Sequence, residues 1–222
     1  MANVKNFPMG LGYNLILIKN NYMIKKLLQI SSEQLCKNIP KSFPIVANDL
    51  KEILTKKNGF YAFESALHVF HIGQSDSPDI IEWNASKGWR ESYKYLTNGM
   101  YFFAEDLFGN QYAFKDDKII FFDADNGEIK ECAENFDSWC SLILEDYDYM
   151  TGWSLGHEWQ IKNRPLKRGE RLFPKIPFVA GGEYGVDNLW VGESVDVMRL
   201  RGEIALQLNN LPDGTTVQFQ FN

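Results

Sequence analysis

The chain has 222 residues, of which 45% are hydrophobic and 14% aromatic, and a formal net charge of −6. This composition supplies one sizeable hydrophobic core and excludes a disordered chain. No apolar run approaches the roughly 20 residues that span a bilayer, so we expect a cytoplasmic protein with no membrane partner.

The negative charge is concentrated in one segment. Residues 101–150 contain 13 Asp or Glu but 3 Lys or Arg, whereas residues 1–100 carry a net charge of +4 and residues 151–222 are neutral. Such an acidic segment disfavours direct binding of nucleic acid and favours a basic protein partner. A solvated acidic face without a partner gives the same pattern and remains an open alternative.

The first half of the chain predicts helices around one strand. Residues 1–22 have no clear period and are interpreted as an N-terminal extension, after which Met23 opens the helical pattern "MIKKLLQISSEQL". Asn48 and Asp49 can cap the helix "DLKEILTKKN", and Gly59 suits its end. A strand follows over residues 60–72 and, after Pro78, a helix through "DIIEWNASKGWRESYKYL".

Four short runs after Asn98-Gly99 predict a meander of antiparallel strands. They are "MYFFAED", "NQYAFKD", "KIIFFD" and "EIKECA", and turn residues separate them. A helix from Phe136 closes this unit, and its apolar positions recur at helical spacing. The stripe buries Cys140, and the three cysteines Cys36, Cys132 and Cys140 predict reduced thiols rather than a disulfide or zinc site.

The C-terminal third is less regular. Pro174, Pro177 and Gly181-Gly182 predict loops and edge strands. Ser194 can cap a helix through "VDVMRLRGEIALQLNN", and "LPDGTTVQFQFN" predicts a turn and a last strand. The sequence therefore predicts an α+β core over residues 23–150, with a mostly antiparallel sheet flanked by helices, and a C-terminal α/β extension over residues 151–222 packed on it.

The stretch "FFDADNGEIKECAE", residues 121–134, resembles a calcium loop at first sight. Counted from Asp123, however, Gly127 falls at position 5 instead of 6, so one ligand is lost and the bend is misplaced. The flanks are β-branched and aromatic rather than helical, and Asn-Gly is a strong hairpin signal. We predict a hairpin and no metal site.

Other chemical motifs are weak. His68 and His71 differ by three positions in a predicted strand, so they point to opposite faces. His157-Glu158 continues as "HEWQI" without the second histidine of a zinc motif, and no GxSxG, GxGxxG or GxxxxGK[ST] pattern occurs. We therefore expect that the protein is not an enzyme and binds no cofactor or metal. An enzyme that uses paired carboxylates or His157 in acid–base catalysis remains an open alternative.

The acidic residues near the predicted turns are the candidate partner-binding residues. A cluster of carboxylates attracts a basic partner, whereas turn and surface acids without a partner are common. The candidates are Glu105, Asp106, Asp116, Asp117, Asp123, Asp125, Glu145, Asp146 and Asp148.

The meander and its closing helix resemble the SUKH superfamily, which includes fungal cell-wall synthesis regulators of the Smi/Knr type and many bacterial proteins. The resemblance covers about residues 35–144. It is carried by Phe103-Ala104-Glu105-Asp106, Gly109, Tyr112, the Ile-Phe strand, the Asp/Asn/Gly turn, Ala133 with Phe136, and upstream Ile39-Pro40 and Asn58-Gly59.

The resemblance implies a sheet of about six strands flanked by helices. For bacterial members it implies an immunity role, in which the protein binds and neutralises a cognate toxin, often a nuclease, that competing cells deliver. The fungal relatives imply the alternative of an intracellular regulator or scaffold. The roughly 70 additional C-terminal residues depart from a minimal member and bear on which face is exposed.

Overall fold

A computed structural model of the protein describes residues 22–39, 48–212 and 214–215. Residues 1–21 of the predicted N-terminal extension and most of the predicted last strand lie outside these ranges. None of the helices in the described ranges is long and apolar enough to cross a membrane.

The centre of the fold is a six-stranded antiparallel sheet, which confirms the predicted fold class. Its strands follow one another in chain order, and each pairs with the next. They are β1 (Phe60–Ala62), β2 (Leu67–Val69), β3 (Tyr101–Glu105), β4 (Gln111–Lys115), β5 (Lys118–Phe122) and β6 (Ile129–Ala133). The predicted meander corresponds to β3 to β6.

Helices flank this sheet in the described part of the chain. They are α1 (22–30), α2 (Asn48–Lys56), α3 (Ile80–Trp83), α4 (Trp89–Tyr93), α5 (Phe136–Glu145), α6 (Tyr147–Thr151), α7 (Trp153–Lys162) and α8 (Ser194–Leu208). A second sheet pairs β7 (Glu170–Pro174) with β8 (Leu189–Glu193). The predicted closing helix is α5, and Cys140 is fully buried on it, as its spacing predicted.

Aromatic side chains form the core on both faces of the six-stranded sheet. One face holds the mutually packed rings of Trp83, Trp89, Tyr93, Phe102 and Phe122. The opposite face holds Phe103, Tyr112, Phe136 and Trp139 under α5. Alternate residues of a strand point to opposite faces, so this aromatic-rich meander fills two layers at once.

The prediction of a single strand over residues 60–72 is wrong, because the chain reverses there and forms the two antiparallel strands β1 and β2. Phe63, Glu64 and Ser65 have φ values of 52°, 52° and 74°, and they turn β1 back onto β2. Left-handed backbone at non-glycine residues costs about 1 kcal/mol or more each. Nothing in the local sequence carries the usual glycine or asparagine signal for such a turn.

The long helix predicted after Pro78 is also wrong. It is divided into α3, α4 and a 3₁₀ turn, Lys94–Thr97. Asn84 ends α3 and binds the backbone of β3: its Oδ1 accepts from Phe102 N at 2.8 Å and its Nδ2 donates to Phe102 O at 2.7 Å. Gly88 then takes a φ of 118°, which the helix could not continue through.

In the described residues, three helices follow α5, and one of them was predicted. The predicted helix is α8, but Ser194 is its first residue and not its cap, because its hydroxyl donates to Glu105 inside the core. Helices α6 and α7 follow α5 and were not predicted. Leu107 N donates to Thr151 O at 3.1 Å, so α6 lies beside the β3–β4 turn.

Candidate partner-binding surface

The nine predicted acids do not form one surface. Three are buried in the interior, two lie in the β4–β5 turn, and the rest lie at the other end of the sheet. In an antiparallel meander, the β4–β5 turn is one strand length away from the β3–β4 and β5–β6 turns, roughly 15 Å for strands of this size. We call the end that carries the β3–β4 and β5–β6 turns the α6 end.

Glu105 is the first correction, because its side chain is fully buried. Its Oε1 lies 2.9 Å from Arg171 Nε and 2.9 Å from His68 Nδ1, and its Oε2 accepts from the hydroxyl of Ser194 at 2.7 Å. Burial acts to raise the pKa of Glu105, but Arg171 and the hydrogen bonds hold it at about 2. This carboxylate is a structural anchor and is not available to a partner.

Asp125 and Asp106 are the other two buried acids. Arg201 donates from Nη2 and Nε to Asp125 Oδ1, at 2.7 Å and 3.0 Å, and also donates to Phe108 O. Asp106 accepts from Phe108 N and from the backbone and side chain of Asn110. Burial raises the pKa of Asp106 to about 7. Neither carboxylate faces solvent, so neither contributes to an exposed acidic surface.

Asp116 and Asp117 form the two-residue turn between β4 and β5. Both are exposed and both take left-handed φ values, 48° and 62°. Such a turn favours aspartate, asparagine and glycine. The turn accounts for both residue types, and it separates these acids from those at the α6 end.

The stretch that resembled a calcium loop is the β5–β6 hairpin, as predicted. Gly127 N donates to Asp123 O at 2.8 Å and Asp123 N donates to Glu128 O at 2.9 Å, which closes the turn. Asp125 points inward to Arg201, so it does not converge with Asp123 on a common site. In the described ranges no group of three or more His, Cys, Asp or Glu residues is arranged to hold a metal ion.

Glu145, Asp146 and Asp148 are exposed at the α6 end. Asp146 caps α6 by accepting from Tyr149 N, and Asp148 accepts from the backbone and hydroxyl of Ser154 at the start of α7. Carboxylates at these positions also interact favourably with the helix dipole. Their local hydrogen bonds leave the charges exposed to solvent.

A row of rings lies among these acids. Phe63 and Tyr147 stack with centroids 5.0 Å apart, Trp153 meets Tyr147 at 5.4 Å, and His157 stacks on Trp153 at 5.1 Å. His157 Nδ1 then contacts Glu64 Oε2 at 2.7 Å. We call Phe63, Glu64, Tyr147, Trp153 and His157 the ring row. All five side chains are at least partly exposed.

The other two histidines are buried. His68 contacts Glu105, and burial lowers its pKa to about 4. His71 lies 3.5 Å from the hydroxyl of Ser77, and burial lowers its pKa as well. Each histidine has its own polar neighbour, and the three do not converge.

Sequence reasoning missed the residues that make this arrangement. Arg171 and Arg201 lie in the neutral C-terminal third, and Arg201 meets an aspartate 76 positions earlier. Arg171 directly precedes the apolar run "LFP", which is a faint signal of a buried ion pair, but the sequence does not identify its partner. The ring row depends on α7, where Gly152 at the cap and Gly156 inside the helix obscure the helical pattern.

A protein family and a solved structure are similar to this chain. Residues 41–141 match the sequence pattern described as SMI1 / KNR4 family (SUKH-1). A search of curated proteins found no match. Among solved structures, the crystal structure of Atu4351 from Agrobacterium tumefaciens is similar, with 11% sequence identity and a TM-score of 0.48 over 75% of this chain and 85% of that chain.

Proposed function

We propose that this protein, whose residues 41–141 match the SMI1 / KNR4 family (SUKH-1), acts as an immunity protein of the bacterial SUKH kind. In this role it is a non-enzymatic cytoplasmic module that binds and neutralises a cognate toxin. A nuclease suits it as the toxin, because an active site that binds phosphates must be positively charged and an acidic inhibitor is steered to it.

One observation carries the electrostatic part of this proposal: three acids at the α6 end form no ion pair with a basic side chain. In the described part of the chain, no Lys or Arg lies within 4 Å of the carboxylates of Glu145, Asp146 or Asp148. The hairpin acids differ, because Lys118 pairs with Glu131 and Glu134, and Lys130 pairs with Glu128. Uncompensated charge at the α6 end therefore favours docking of a basic partner there.

The proposal is tested by co-expressing the protein with a toxin encoded by a neighbouring gene. We expect growth rescue, co-purification and a saturable complex. The double variant Glu145→Gln/Asp146→Asn removes two charges, and asparagine still caps α6. We expect it to lower the association rate about 3- to 10-fold at low ionic strength and to reduce its salt dependence.

The matched control is Asp116→Asn/Asp117→Asn. This variant also removes two negative charges, but at the other end of the sheet, and asparagine tolerates the left-handed turn. Equal losses for both doubles would contradict docking at the α6 end. Absence of rescue and binding with the wild-type chain would contradict immunity, and a solitary gene beside no toxin would favour the regulatory alternative.

A further inference from the structure

The β1–β2 turn is fixed from outside rather than by its own sequence. Phe63, Glu64 and Ser65 all hold left-handed φ values. Gln160 Nε2 donates to Glu64 O at 3.0 Å, Arg171 Nη1 donates to Ser65 O at 3.4 Å, and His157 holds the carboxylate of Glu64. Backbone strain that the surroundings maintain is typical of functional sites, since it places a side chain where relaxed backbone would not.

Helix α7 supplies these restraints from one face. Trp153, His157 and Gln160 are spaced by four and three positions, so they lie side by side on the helix surface. Trp153 meets Tyr147 edge to face, with ring planes 71° apart, and His157 stacks on Trp153 with ring planes 25° apart. The result is a row of packed rings with the carboxylate of Glu64 beside it, held by His157.

The ring row is open to a cation from outside. Lys and Arg side chains contact rings elsewhere in the described ranges, as at Tyr22, Phe60, Phe102 and Tyr61, but none contacts Tyr147 or Trp153 there. Tyr147 keeps 37% of its surface exposed. Asp146, the cap of α6, and Asp148 are exposed chain neighbours of Tyr147, so acidic residues adjoin the row at α6 as well as at Glu64.

We propose that the ring row binds an arginine side chain presented by a basic protein partner. A guanidinium is planar and weakly hydrated, so it stacks on exposed aromatic rings and donates hydrogen bonds to a neighbouring carboxylate at the same time. A lysine ammonium has no flat face for stacking. This inference rests on the proposed function only in taking the partner to be a basic protein.

A peptide experiment tests the site without the toxin. The probe is acetyl-Gly-Arg-Gly-Arg-Gly-amide, and its control contains citrulline, the neutral isostere, in place of arginine. We expect the arginine peptide to shift the Trp153 indole NMR signal saturably and the citrulline peptide to bind at least about 5-fold more weakly. Equal shifts from both peptides, or no shift, would overturn the inference.

Variants locate the binding to the row. Tyr147→Ala removes the ring completely. Tyr147→Leu removes the π-system but keeps an apolar contact with Phe63, so it tests the arginine site even if Tyr147→Ala does not fold. Tyr95→Ala is the control, since Tyr95 is 54% exposed and contacts Asn210, away from the row. We expect both Tyr147 variants, but not the control, to lose the arginine-dependent shift.

The toxin complex separates this inference from the proposed function. If the wild-type chain binds the toxin, we expect Tyr147→Leu to weaken the Kd by about 10-fold or more. Unchanged affinity for that folded variant would overturn the arginine site and leave the immunity function standing. If the wild-type chain binds no toxin, the immunity function fails, and the peptide experiment alone decides the arginine site.

Discussion

Arg171 Nε lies 2.9 Å from Glu105 Oε1, and both side chains are fully buried. The pair joins β7 of the C-terminal region to β3 at the centre of the sheet. Arg201 makes a second such junction, between α8 and Asp125 of the β5–β6 turn. Two buried arginines from the last third of the chain therefore hold acids that the sequence had suggested for a partner.

Loss of Arg171 is predicted to destabilise the protein strongly. Arg171→Met leaves the Glu105 charge buried without its cation, which typically costs about 3–5 kcal/mol of the free energy of unfolding. The double variant Arg171→Met/Glu105→Gln removes both charges and should recover part of the loss. Urea denaturation at pH 7 measures both.

The control for this prediction is Arg199→Met. Arg199 pairs with Asp196 at 3.4 Å, but both side chains are exposed, so the loss should stay within about 0.5 kcal/mol. If Arg171→Met cost no more than Arg199→Met, the buried pair would not be the anchor that its geometry indicates.

A fragment that ends at residue 150 is predicted not to fold cooperatively. Glu105 and Asp125 lose their arginines in this fragment, and Leu107 and Phe108 lose the apolar cover of Leu155 and Leu172, with which they form one buried cluster. Buried charges without partners and exposed apolar surface both oppose folding. Circular dichroism during urea titration should give a broad transition for the fragment and a sharp one for the full chain. A sharp transition for the fragment would contradict this.

The sequence predicted the parts of the fold that neighbouring residues determine, and it did not predict the parts that contacts between distant residues determine. The meander from β3 to β6 was predictable because neighbouring strands pair through short turns, and each turn carries its own residue signal. The hairpin at Phe63 to Ser65 was not, since contacts from α7 and Arg171 hold it in place. The same holds for the acids. The sequence shows where the acidic residues lie along the chain, but the burial of Glu105 and Asp125 depends on Arg171 and Arg201, which are far away in the sequence.

The pH dependence of stability is predicted to depend on His68. Burial lowers its pKa to about 4 from an ordinary 6.5, so the unfolded chain takes up the proton first. The neutral His68 side chain therefore makes its full contribution to the free energy of unfolding above pH 6.5. This contribution is lost as the pH falls from 6.5 towards 4. Between pH 7 and pH 5 the loss is about 2 kcal/mol.

The measurement compares the wild-type protein with His68→Gln at each pH. Asp106 acts in the opposite direction, since burial raises its pKa to about 7 and its contribution is present at low pH and lost as the pH rises from 3.8 to 7. The wild-type curve combines both effects. The difference between the two proteins isolates His68, and a difference that stays constant from pH 7 to pH 5 would contradict the assignment.

Gly152 is predicted to be essential for the joint between α6 and α7. It has a φ of 73°, and a Cβ there would overlap the ring of Phe108. Gly152→Ala therefore combines a left-handed alanine with a steric clash, and we expect a loss of about 2 kcal/mol or more. Gly185→Ala is the matched control. A Cβ added at Gly185 would have no neighbouring atom within 4 Å, and the φ of −153° is one that alanine adopts freely.

The joint also sets the angle between Tyr147 on α6 and Trp153 on α7. Gly152→Ala should consequently weaken the arginine-peptide shift of Trp153 under conditions where the variant is still folded, whereas Gly185→Ala should leave the shift unchanged. Urea denaturation and the peptide titration, carried out on the same two variants, measure both effects. A Gly152→Ala protein as stable as Gly185→Ala would mean that Phe108 can move aside and that the close packing does not fix this joint.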